Sequence, residues 1–594
     1  MSQQQKTDMA KYFYRASAAD FMKIPGAPLA YWVTDRLRDT FLSDLNLGVI
    51  AKPRQGMATT NNDLFLRLWS EVGLAKIGFS CDSEDQALGS KKKWFPYNKG
   101  GSPRKWYGNQ YYVVNFENGG KAICDYIDSS PDARVGSNGR VINREYYFKP
   151  GVTWSDITTN GFAARFSPEG FVFDVKGSSG FPESNFRSSV LGLLSSKISL
   201  TYMKALNPTA TFQVGDISKI PFLGAEVENE VSSLIHLSRI DWDSYETSWD
   251  FTTLPILNYD HNQPTLQATY QKLRAHWRMM TQEMQRLEEE NNRIFIDAYG
   301  LKDELDETVD LSEITLTCNP HYRYGGNKSE AELETMLQCD TLRELVSYAI
   351  GCMMGRYSLD KPGLILASQG ETLQDYLRQI PSPRFAPDDD AILPLTDQEW
   401  FTDDATNRFR EFIRVVWGEE HLQQNLDFVA ESLCLHAIKL KKGESSLDTI
   451  RRYLSTQFFK DHLRTYKKRP IYWLFSSGKH KAFECLVYLH RYNEGTLARM
   501  RTEYVIPLTA KLSTYAAKLE KDVEASTSTA EKKALEKQLS TLHNQQAELA
   551  TFDEKLRHYA DQRITLDLDD GVKVNYGKFG DLLAEVKTVT GDKE

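Results

Sequence analysis

The chain has 594 residues, with 72 Lys and Arg against 81 Asp and Glu for a net charge of −9, and 41% of it is apolar. That length is too great for one hydrophobic core and predicts roughly three to five domains or subdomains. The acidity excludes a general coat for nucleic acid; the lack of any apolar run of about 18 residues predicts no membrane contact, and the polar start MSQQQKTDMAKYF predicts a cytoplasmic protein.

Residues 1–45 read as a junction segment, in which Pro25, Gly26 and Pro28 make a turn before an apolar-rich helix. A Gly-Thr-Asn turn follows in KPRQGMATTNNDLFLRLW, where Arg54, Gln55, Thr59, Asn61 and Asn62 are suited to base edges or phosphates and equally to any tight turn. Residues 86–116 then carry Lys91, Lys92, Lys93, Lys99, Arg104 and Lys105 with no acidic residue, interleaved with rings that include Trp94, Trp106 and Tyr107. Cations neutralise phosphates and flat rings stack on bases, so a nucleic-acid-contacting loop is one reading. A solvated basic loop beside an aromatic strand is the other. Arg104 in particular is either a planar fork aimed at a guanine edge or the partner of a core carboxylate.

From about 111 to 223, YYVVNF, REYYF, GVTWSDI, FAARF, GFVFDV, ATFQV and DISKIPF predict short, mainly antiparallel strands around the helical segment SSVLGLLSSKISLTYMKAL. A heptad stripe, Leu266, Tyr270, Leu273, Trp277, Met280, Met284, Leu287 and Ile294, predicts a long helix packed by its rings and methionines. Residues 311–504 are mainly helical by pattern, with Asp388, Asp389 and Asp390 expected on a solvated connection. Within them Arg451, Arg452, Lys467, Lys468 and Arg469 form a second basic concentration and a candidate second phosphate-facing surface. Leucine-rich arms on either side of EASTSTAE predict an antiparallel helical hairpin over 505–562, and 563–594 is a tail. The fold class is thus α+β: a β-rich domain over 46–258, a long heptad helix over 259–310, then a mainly α-helical region with the hairpin.

The sequence offers no catalytic residue. It contains no G-x-G and no G-x-x-x-x-G-K-[ST], so no nucleotide or S-adenosylmethionine loop is predicted; Ser178 and Ser179 stand in DVKGSSGF, which is not G-x-S-x-G. The seven cysteines are scattered without metal-site spacing and are expected as buried thiols, with no metal or disulfide. Asn319-Pro320-His321-Tyr322 is one residue from the Asn-Pro-Pro-Tyr with which amino-methyltransferases grip a flipped adenine, and we assign it a turn role.

Blocks including PRQGMATTNNDLFLRLW, KKKWFPYNKGG, RKWYGN, LNPTATFQVGDISKIPF, CNPHYRYGG, LVSYAIGCMMGRYSLD, RPIYWLFSSGK and LDDGVKVNYGKF stand in an order that resembles the carboxy-terminal half of the PglX family. That family comprises the adenine-specific DNA methyltransferases of type 1 BREX phage defence. The turn at Gly56–Asn62 is similar to the G-x-x-T-G-x-N turn of restriction-modification recognition domains, with Thr60 in place of the glycine. The resemblance implies that 46–258 is a target-recognition domain. It implies double-stranded DNA as partner, together with a catalytic half that carries S-adenosylmethionine, and other BREX components. The chain itself is expected to hold no cofactor and to be inactive alone. A protein-interaction scaffold of the defence complex, without base reading, is the alternative.

Overall fold

The computed structural model describes residues 17–130, 135–157, 161–207, 209 and 211–591; the first part of the junction segment and Ala210, which opens the expected ATFQV strand, lie outside the described residues. The fold is α+β, and compactness divides it into a first unit, Met1–Leu66, Lys76–Trp242 and His276–Gly326, and a second, Arg67–Ala75, Asp243–Ala275 and Asn327–Glu594.

The first unit is built on small sheets. Helix α1 (Glu84–Ser90) ends at Lys91 and leads into β1 (Trp94–Asn98). Strand β1 pairs antiparallel with β2 (Tyr112–Asn115), placing Phe95 opposite Val114, and helix α2 (Glu117–Ser129) follows β2. In a second sheet β3 (Gly151–Trp154) lies between β4 (Ala164–Ser167) and β6 (Ser179–Gly180), while β5 (Val172–Phe173) runs parallel to β1. Phe95, Tyr97, Phe116, Phe148, Val172 and Phe173 meet in one buried cluster, the large rings and β-branched residues that a pleated surface packs best.

Three expected strands are absent. REYYF forms a 3-10 turn at Arg144–Tyr146 because Asn143 adopts φ 57°, and the start of DISKIPF belongs to a helical turn at Val214–Ile217. The expected helical segment is two helices, α3 (Ser184–Ser195) and α4 (Lys197–Leu206), broken where Ser196 takes an extended conformation. Helix α5 (Glu228–Asp243) precedes the heptad helix α6 (Leu266–Ala298), whose 33 residues bury Leu273, Trp277, Met280, Met284 and Leu287 as the spacing requires. The short α7 (Pro320–Tyr324) closes the unit.

The second unit centres on α8 (Glu330–Met353), opened by a capping box between Ser329 and Glu332, and packed on α9 (Leu422–His436). Its sheet is fully antiparallel, with β9 (Glu484–Tyr488) between β7 (Ile392–Pro394) and β8 (Tyr472–Ser476). Helices α10 (Ile506–Ala525) and α11 (Thr529–Asp561) form the hairpin, joined through Leu508, Leu512, Leu519, Leu542, Leu549 and Leu556. The aspartate connection departs from expectation: Asp388 is buried, its Oδ1 accepting from the Asp390 and Ala391 amides, because the chain turns there into β7.

Candidate nucleic-acid interface

The basic loop splits into two parts with different roles. Lys91 caps α1 in the left-handed region at φ 56° and is exposed, and among the described residues it meets no carboxylate at ion-pair distance. Lys92 and Lys93 are half-buried, with the Lys93 ammonium over the Trp94 ring at 5.7 Å. Trp94 itself is only 1% exposed, so as a base-stacking ring it is corrected to core.

Beyond Gly100 the loop turns inward. Arg104 is 3% exposed, and its guanidinium donates to the Tyr107 carbonyl at 2.8 Å, Thr317 Oγ1 at 2.9 Å and Asp241 Oδ2 at 2.7 Å. It stacks on Trp242 at 5.0 Å, a closeness that Gly108 permits, since a Cβ there would stand 2.6 Å from Arg104 Nε. Burial opposes the charged guanidinium, but Asp241 more than offsets it and holds the Arg104 pKa above its ordinary value. The arginine is therefore the partner of a core carboxylate, and its fork is engaged inside the unit. Lys105 follows it, pairing with Glu288 Oε2 at 2.6 Å, while the buried Trp106 donates its indole N–H to Glu288 Oε1 at 2.9 Å. Tyr107 is 2% exposed beneath the Arg239 guanidinium at 4.5 Å. Asp241 and Glu288, which anchor this half of the loop, lie 137 and 183 residues from their basic partners, and no local pattern marks them.

The Gly56–Asn62 turn is locked to the β1 edge. Gly56 is obligatory, because a Cβ would lie 1.8 Å from the Phe173 carbonyl oxygen. Thr60 keeps the glycine conformation in glycine's place, at φ 59°, which is unusual for a β-branched residue. Asn62 Oδ1 accepts from the buried Thr59 at 2.7 Å and from Lys99 at 3.2 Å, and Lys99 also pairs with Asp174 at 2.9 Å. Asn61 caps the next helical turn at Leu64 and donates to the Tyr126 hydroxyl. These four side chains thus hold the turn. Gln55 is exposed, and Arg54 lies over the Tyr146 ring at 5.3 Å; Lys149 approaches the same ring at 5.9 Å. Among the described residues neither cation meets a carboxylate. Tyr146 and the isolated Lys149 escape sequence reading because only the 3-10 turn at Arg144–Tyr146 brings them to Arg54.

The second basic concentration is largely paired within its own unit. Arg451 is buried on Asp404 at 2.5 Å, and Arg452 takes Glu444 in a two-pronged contact, so both are corrected from phosphate contacts to structural ion pairs. Lys467 and Lys468 are exposed in consecutive left-handed conformations, and Arg469 donates to the Val589 carbonyl at 3.3 Å. The Asn-Pro-His-Tyr stretch opens α7: Asn319 is fully buried, caps the His321 amide and donates to the Leu311 and Ile314 carbonyls. It is a helix start with proline at the first position.

No protein-family model matches the chain. It is 45% identical over 579 residues to an adenine-specific methyltransferase named BrxX from Escherichia coli O9:H4, and 39% identical over 580 residues to one named PglX from Lacticaseibacillus casei. Each alignment covers 96% of the chain but 46% and 45% of the relative, so the chain spans about half the length of the curated relatives it matches.

Proposed function

Since the chain is of the PglX/BrxX type along 96% of its length, we propose that it is the DNA-recognition half of a site-specific adenine-N6 methyltransferase of BREX phage defence. In this reading S-adenosylmethionine and the methyl-transfer chemistry belong to a catalytic half outside the chain, and the complex acts on DNA in the cytoplasm with other BREX components. The observation that carries it is a high identity to adenine-specific methyltransferases combined with a sequence free of the G-x-G cofactor loop. Exposed cations without acidic partners, Lys91, Arg54 and Lys149, support a phosphate-facing surface on the first unit. Lys92, Lys93, Lys467 and Lys468 extend the candidate set.

Duplex binding measured by filter retention across salt concentrations tests this reading. If five phosphates are contacted, log affinity falls against log salt with a slope of roughly −4.5. A slope near zero favours the scaffold alternative. Incubation of the chain alone with S-adenosyl-[methyl-³H]methionine and DNA is expected to leave the DNA unlabelled, and incorporation would place the chemistry in this chain instead.

A further inference from the structure

A cavity of about 1030 Å³ opens within the first unit, walled by the loop at Gly101–Lys105, by Phe162 and by the junction of α3 and α4. Helix α4 starts there without a side-chain cap: the Ser196 hydroxyl at its N-cap donates backwards to the Leu193 carbonyl at 2.7 Å. The helix therefore presents its positive end to the cavity, with only the Lys197 amide engaged, by Asn292 Oδ1 at 3.0 Å. Next to it Ser195, 9% exposed, lines the cavity with a buried hydroxyl that has no hydrogen-bond partner. A buried hydroxyl in that state lacks what a ligand oxygen would supply.

The remaining wall is cationic. Lys105, Lys197, His321 and Arg323 line it against a single acid, Glu313. Behind it Arg165 is 2% exposed and makes one hydrogen bond, to the Arg104 carbonyl at 3.3 Å, with no carboxylate among the described residues. A phosphate would occupy only a fraction of this volume, and the space beyond it is bordered by the Phe162 and Tyr322 rings, against which a planar heterocycle can stack. We propose that the cavity binds a nucleoside phosphate, with the phosphate on the α4 N-terminus beside Ser195 and Lys197 and the base against Tyr322 and Phe162. Its source is either a free nucleotide or a nucleotide turned out of DNA held by this unit, and the second source rests on the recognition reading above.

Two probes test it: N-methylanthraniloyl-dAMP titrated into the chain, and a duplex carrying 2-aminopurine at successive positions. Saturable binding of the first identifies the free-nucleotide source, and a fluorescence rise in the second the extruded one. Leu200→Trp, which fills the cavity without changing charge, and Lys197→Glu are each expected to weaken the responding probe at least about tenfold, with random-duplex affinity in Leu200→Trp unchanged. Where Leu200→Trp fails to fold by circular dichroism, Lys197→Glu and Ser195→Ala carry the test. Neither probe responding up to roughly 1 mM, or a response undiminished in all folded variants, overturns the proposal. Duplex binding without either response overturns the cavity site and leaves the recognition reading standing; nucleotide binding without duplex binding does the reverse.

Discussion

At the scale of single residues, the division of the basic loop sets opposite expectations for neighbouring cations. Replacing Arg104 by Ala leaves Asp241, 1% exposed, with only the Thr317 and Cys318 amides, and should cost about 3–5 kcal/mol. We expect a lower denaturant midpoint and an unchanged ratio of cognate to random duplex affinity; a changed ratio with stability intact would restore Arg104 as a base reader. Replacing Lys91, Lys92 and Lys93 together by Ala should leave the midpoint near wild type, weaken binding to all sequences alike and flatten the salt slope by up to about 3. Thr60→Gly relieves a left-handed threonine at φ 59°, so the variant is expected to match or exceed wild-type stability by up to about 1 kcal/mol. Loss of stability there would mean that the Thr60 hydroxyl bond to the Thr59 carbonyl outweighs the strain.

At the scale of elements, Glu288 joins α6 to the loop within the first unit, since it accepts from both Lys105 and Trp106. Glu288→Ala should therefore speed amide exchange over residues 101–108, read by mass spectrometry, and leave exchange over 91–93 as it is. Uniform change in both stretches would contradict the division of the loop. What the sequence disclosed at this scale follows from range. The heptad stripe of α6 and the leucine arms of α10 and α11 are written in local spacing, and the structure has them as expected. Strand β1 was hidden, because Pro96 and three preceding lysines mask an alternation in which all five residues are buried for tertiary reasons. The same holds for the site: exposed Lys91 was legible as a charge run, whereas the capture of Arg104, Lys105 and Trp106 depends on carboxylates far along the chain.

At the scale of the whole molecule, buried histidines of the second unit give stability a direction in pH. His462 accepts from the Ile471 and Tyr472 amides through Nε2, and His490 shares a hydrogen bond with the Val72 carbonyl. Burial, then the charge of Arg356, pushes each pKa from 6.5 down to about 3. The unfolded chain binds these protons first, so their contribution is complete above pH 6.5 and is lost as pH falls toward 3, by about 1.4 kcal/mol per pH unit for each. Urea midpoints at successive pH values should fall on that acid limb, and His462→Gln should make the limb shallower; an unaltered limb would remove His462 from the account. The anchoring of the basic loop also has a consequence in time. Its partners Asp241, Glu288 and Thr317 are 137 to 213 residues downstream. A ribosome adding about 5–20 residues per second needs roughly 10–40 s to deliver them. During that interval the nascent chain carries Arg104, Lys105 and Trp106 without their ion-pair and indole acceptors, and chains arrested before Glu288 should be cleaved by trypsin at Arg104 and Lys105, sites that the finished protein protects.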